Sequence, residues 1–130
     1  MGLQQARPKK ERLKKQARLL NGEVQAMGEY PIKPATESEL DRYIRYAEAL
    51  EDIKFKNDGI LGVSFKRKVY FANMPFSGNS SQYAFRTPLA ACEFYNRYVK
   101  AKYGEHAILC EWRSIVRKYI LNEEDEYQCA

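Results

Sequence analysis

A single histidine, His106, stands in 130 residues, with one tryptophan, Trp112, and three cysteines, Cys92, Cys110 and Cys129. These scarcities exclude whole classes of chemistry. A histidine-metal nuclease needs several histidines around its ion, and the cysteines have no ligand-type spacing. A serine or cysteine nucleophile has only His106 as its base, and nothing in the sequence brings them together. Gly78-Asn79-Ser80 lacks the lysine that would make it a phosphate loop. Apolar runs fall far short of the roughly 20 residues of a membrane span. The basic N-terminus is not followed by the apolar stretch of a secretion signal. Cysteines that are odd in number and outside metal motifs fit a reducing compartment, so the cytoplasm is the expected location. The expectation is a non-enzyme with no cofactor, no metal and no membrane contact.

What is present is charge, and it is segregated. The net charge is +5, yet residues 1–20 carry +6, residues 21–53 carry −5, residues 54–112 carry +5 and residues 113–130 carry −1. A basic arm and a basic centre separated by an acidic segment form a pattern that a uniform surface would not show. In the arm, Arg7, Lys9, Lys10, Arg12, Lys14, Lys15 and Arg18 surround a thin apolar stripe of Leu13, Ala17 and Leu20. Its propensity favours a helix that forms on binding. Phosphate is one target for such an arm, and an acidic protein is the other.

The centre carries the structural signal. Ile60–Phe65, Val69–Met74 and Ser81–Phe85 are short runs rich in β-branched and aromatic residues, bounded by turn formers. Lys66-Arg67-Lys68 separates the first two, and Ser77-Gly78-Asn79-Ser80 the last two, so the strands are expected to be antiparallel. Thr87 then caps a helix with Pro88 at its first position, and Gly104 ends it after Tyr103. Ala91, Tyr95, Tyr98, Val99 and Lys102 share one face of that helix. Period-two alternation puts Val63, Phe65, Tyr70, Ala72 and Met74 toward the helix and Ser64, Lys66, Phe71 and Asn73 away from it.

Around this centre, Asn21-Gly22 breaks the arm, and residues 21–36, with Gly28, Pro31 and Pro34, are expected to be a linker. A helix over 37–53 follows, capped by Thr36 with Glu39 or by Ser38 with Asp41. Its stripe is Leu40, Tyr43, Ile44, Ala47 and Leu50. A last helix over 111–121 presents Trp112, Ile115, Val116, Tyr119 and Ile120, before an acidic tail. These two outer helices could pair with each other or form a homodimer interface. The expected fold class is α+β: a three-stranded antiparallel sheet packed on one helix within residues 54–112, with added N-terminal and C-terminal helices.

Residues 59–112 resemble the apetala/ethylene-response-factor DNA-binding domain in its phage and bacterial version, found beside HNH homing endonucleases. The resemblance rests on Gly62-Val63-Ser64-Phe65, the basic turn Lys66-Arg67-Lys68, Tyr70-Phe71-Ala72-Asn73-Met74 and Phe85-Arg86-Thr87. It continues in Ala91-Cys92-Glu93-Phe94-Tyr95-Asn96 and Lys102-Tyr103-Gly104-Glu105-His106-Ala107-Ile108-Leu109. It implies a sheet whose outer face enters the major groove of double-stranded DNA, in a phage or mobile-element protein with a role in transcription regulation or recombination. The residues it points to are Ser64, Lys66, Arg67, Lys68, Phe71, Asn73 and Arg86, with the cations of the arm. The departures are few arginines on the outer face and Gln82-Tyr83 where the family has Leu-Gly before the third-strand aromatic. Those departures and the many tyrosines favour a second expectation, a protein-interaction module that modulates a host nucleic-acid-handling enzyme.

Overall fold

The computed structural model describes residues 20–27, 32–76 and 82–122. The arm, the Ser77–Ser80 loop and the acidic tail therefore lie outside the described residues, as does Cys129. The elements are α1 (Asn21–Met27), α2 (Glu37–Lys56), β1 (Val63–Lys66), β2 (Val69–Asn73), β3 (Gln82–Phe85) and α3 (Pro88–Tyr103). A 3-10 turn, Gly104–His106, leads to α4 (Trp112–Ile115), which runs on through a widened turn, Val116–Ile120. The fold is α+β, with an antiparallel sheet in the order β1-β2-β3 packed on α3.

The strands form where β-branched and aromatic residues alternate, and their pairing is set by the side chains that α3 covers. Val63 opposes Ala72 and Phe65 opposes Tyr70, while Ala72 opposes Tyr83 and Tyr70 opposes Phe85. A slip of one residue would turn this whole set to solvent, so burial under α3 holds the register. α3 begins at Thr87, whose hydroxyl accepts from Ala90 N at 3.2 Å. It buries Ala91, Cys92, Phe94, Tyr95, Val99 and Tyr103. That is a wider stripe than the expected face, because α3 meets the sheet on one side and residues 107–115 on the other. Tyr98 and Lys102, expected on the same face, are half-buried at its margin.

Two asparagine side chains stand in for missing strand partners. The Asn96 amide on α3 donates to Cys110 O at 2.9 Å and accepts from Cys110 N at 2.8 Å. An extended segment without a neighbouring strand is thereby satisfied as if it had one. Asn21 does the same for the free edge of β3, donating to Gln82 O at 3.0 Å and accepting from Ala84 N. Glu23 extends this contact by accepting from Arg86 N at 3.0 Å.

That contact sets a helix, Asn21–Met27, in the first part of the linker expected over 21–36; residues 28–31 lie outside the described residues, and 32–36 are without regular structure. Asn21-Gly22 starts a helix, held by tertiary hydrogen bonds to β3; the break expected there in the arm helix falls on residues outside those described. Gly22 is needed for closeness: a Cβ there would lie 2.8 Å from Ala84 O and inside the Phe85 ring. Strand bounds also differ at one end. β1 starts at Val63, since Ile60 and Leu61 lie buried beside Cys110 ahead of the sheet.

α2 is longer than the expected 37–53, ending at Lys56. Its N-terminus uses the Thr36/Glu39 capping box, with Glu39 N donating to Thr36 Oγ1 at 3.3 Å and Thr36 N to Glu39 Oε1 at 3.2 Å. Tyr43 is its anchor. The ring stacks on Tyr103 at 3.8 Å between centroids, and its hydroxyl accepts from Ile108 N at 2.8 Å. Ile44, expected in the buried stripe, is exposed. The C-terminal helix packs on α3 and not along α2, to which the Lys54–Glu111 ion pair ties it at 3.5 Å. Of its expected face, Ile115 is buried, whereas Trp112 and Ile120 stand half in solvent.

Two predictions follow from this packing. Asn21→Ala leaves a carbonyl and an amide of β3 unpaired at an open edge. It should cost about 1–2 kcal/mol in denaturant unfolding and raise light scattering through edge pairing. Burial raises the pKa of Tyr43 and Tyr95 and pushes Tyr103 up to about 12 from its ordinary 10.0. Ionisation is then favoured in the unfolded chain, so this stability is present below pH 10 and lost as pH rises through about 12. Tyr103→Phe should remove roughly one of the three protons from that alkaline slope, read by urea unfolding across the range.

Candidate nucleic-acid interface

The hairpin of β1 and β2 closes on two residues, Arg67 at φ +52° and Lys68 at φ +65°. Positive φ at both positions is the mirror-image turn that matches the twist of paired strands, and it ordinarily takes Asn-Gly. A side chain other than glycine there is disfavoured by roughly 1–2 kcal/mol per residue. The chain nevertheless places two long cations in this turn, and Lys66, Arg67 and Lys68 are all exposed. Three positive charges thus cluster at one end of the sheet.

The outer face holds Ser64, Lys66, Phe71 and Asn73, as the alternation predicts, with Val69, Gln82 and Ala84 beside them. Its polar groups are engaged with each other. Asn73 Nδ2 donates to Ser64 Oγ at 2.9 Å and more weakly to Gly62 O at 3.4 Å, while Asn73 Oδ1 accepts from Gln82 Nε2 at 2.7 Å. One amide therefore bridges all three strands, and two-pronged pairing with adenine would break that bridge. Phe71 is half-buried on this face. Arg86 follows Phe85, the partner of Tyr70, so it stands at the same end of the sheet as the basic turn. Its guanidinium is shared with Glu23, Nε lying 3.6 Å from the carboxylate. The arm residues Arg7, Lys9, Lys10, Arg12, Lys14, Lys15 and Arg18 lie outside the described residues.

The inner face at the turn end differs from expectation. Phe65 points to the helix side, yet it is 48% exposed, because α3 does not extend over this end of the hairpin. Its ring rests on Tyr70 at 4.6 Å, and Tyr70 meets the edge of Tyr119 at 5.3 Å. Lys118 Nζ lies 5.5 Å from the Tyr119 ring centre. Sequence reading missed Lys118. Its only signal there was the run Arg117-Lys118-Tyr119, and in the structure it neighbours Tyr119, whose ring touches Tyr70.

A second surface lies on α2. The helix spans about 30 Å, and Tyr43 is its one buried residue. Ile44 and Phe55 are exposed on one face of it, Phe55 at 83%, and Tyr46 and Ile53 on the opposite face, among Asp41, Glu48, Glu51 and Asp52. Tyr46 leans on Phe76, whose ring carries Arg42 at 4.7 Å.

His106 is exposed at the exit of α3, 3.8 Å from Glu105. Cys92 and Cys110 are buried thiols. The hydrogen bond between them, with burial, raises Cys92 above the ordinary thiol range, while the same hydrogen bond lowers Cys110 against the opposing effect of burial. Among the described residues there is no group of three or more His, Cys, Asp or Glu placed to hold a metal, and no helix long and apolar enough to cross a membrane. The chain matches no family model, no curated protein and no solved structure.

Proposed function

We propose that this chain is a small, non-enzymatic DNA-binding protein that sets the basic end of its sheet against the phosphates of a double helix. The arm from Arg7 to Arg18 adds further phosphate contacts. The observation that carries this reading is the Arg67-Lys68 turn. A conformation that favours Asn-Gly is occupied by two exposed cations, and structure alone gives no reason for that choice. Lys66 and Arg86 stand at the same end. Sequence preference should be modest, since Ser64, Asn73 and Gln82 bond to one another and leave few free donors for base edges.

Replacing Arg67-Lys68 by Asn-Gly tests this with two readouts of opposite sign. Stability should rise by about 1 kcal/mol, because the turn is relieved. Each phosphate that the protein neutralises adds roughly 0.9 to the slope of log affinity against log salt, so that slope should flatten by about 2. A rise in stability with an unchanged salt slope would remove the turn from the DNA-binding surface.

One observation favours a second reading, a module that captures a protein partner such as a nucleic-acid-handling enzyme of the host. It is α2, which shows solvent an apolar and acidic surface along most of its length. Ile44→Ser with Phe55→Ser should leave folding unchanged, because both side chains are exposed. Under this reading the double variant loses capture of the wild-type chain's partner in a pull-down, with duplex affinity intact.

A further inference from the structure

The turn end of the hairpin has an aromatic surface as well as a charged one. Phe65 and Tyr70 are direct cross-strand neighbours, and Tyr119 closes the far side of Tyr70. The Phe65 ring is fixed against Tyr70 while about half of the residue remains in water. Lys66, next in the strand, is directed to the opposite face, and the exposed cations Arg67 and Lys68 form the turn that follows it. A fixed, half-exposed ring next to a row of cations matches the two chemical parts of an unpaired nucleotide, a flat base and an anionic phosphate. A base inside a duplex has no free face to offer such a ring, so this feature goes unused if only duplex phosphates are bound.

We infer that the hairpin end binds an unpaired nucleobase, stacked on Phe65, with its flanking phosphates held by Arg67 and Lys68 of the adjoining turn. The inference rests on the nucleic-acid reading given above and adds to it a preference for single-stranded or locally opened strands. The occupant follows from charge complementarity: an acidic strand fits this rim, whereas an apolar peptide would leave the cations beside it unpaired. Stacking on an aromatic side chain is tolerant of base identity, in keeping with the self-satisfied outer face of the sheet.

The test uses the full chain and two probes, an oligodeoxythymidylate of about ten nucleotides, within the usual span of such sites, and a duplex of equal length. Phe65→Leu keeps an apolar side chain on Tyr70 and should fold like the wild type. It should lose roughly tenfold in affinity for the single strand and less than twofold for the duplex, on the scale of one stacked base. In a Trp112→Phe background, Phe65→Trp should bind the single strand with its indole emission quenched by the stacked base. Equal losses on both probes, or no loss on either, would overturn the stacking site while leaving duplex binding in place. Indole emission that stays unquenched at saturation would do the same. Failure of the wild-type chain to bind either probe would overturn the nucleic-acid reading itself.

Discussion

The backbone of Gly62 lies directly against the ring of Tyr95, and the sheet depends on that approach. A Cβ at Gly62 would clash with Cε2 and Cδ2 of the tyrosine ring, and its φ of +78° is one that side chains rarely adopt. Glycine satisfies both demands at once. Its carbonyl then accepts from Asn73 N at 2.6 Å, which fixes the first pairing of β1 with β2. From that pairing the rest of the register follows, through Val63 opposite Ala72 to Lys66 opposite Val69. Only two residues remain to turn the chain, so Arg67 and Lys68 must take positive φ. The conformation of the tip, though not its charge, is thus a consequence of how closely a buried tyrosine on α3 meets the strand.

The two asparagine clips work on the same economy. A small sheet has edges and extended segments with unpaired amides and carbonyls, and an unpaired edge invites association with another chain. Asn21 and Asn96 each offer one acceptor and one donor in the geometry of a peptide unit. Each closes a gap that would otherwise need another strand. β3 is covered in this way.

How much of this could be read from sequence depends on whether the cause is local. The three strands, the Thr87-Pro88 start of α3 and its end at Gly104 are set by residues within a few positions and were legible, whereas the cap of α2 was legible only as a choice between Thr36/Glu39 and Ser38/Asp41. α1 was not, because seven residues without a strong apolar stripe are held by contacts some sixty residues away. For the same reason the outward position of Asn73 was legible and its engagement with Ser64 and Gln82 was not. Alternation assigned Phe65 to the helix side, but where α3 stops relative to the hairpin is a tertiary fact. The cluster Lys66-Arg67-Lys68 was visible as charge, and its backbone conformation only as structure.

These elements constrain how any anionic strand could be held. Charge on the outer face is limited to the turn end, since Ser64, Asn73 and Gln82 form a neutral bridge across the other end. Arg86 lies at the charged end but is partly neutralised by Glu23, the residue that also secures α1 to β3. Full use of Arg86 by a phosphate would therefore compete with an interaction that closes the sheet edge. Lys66, Arg67 and Lys68 carry no such conflict, because they lie in and beside a turn whose backbone hydrogen bonds are made by the strands themselves. Affinity concentrated there can change without loosening the fold. In that turn, unlike at Arg86, local stability and charge placement are separable.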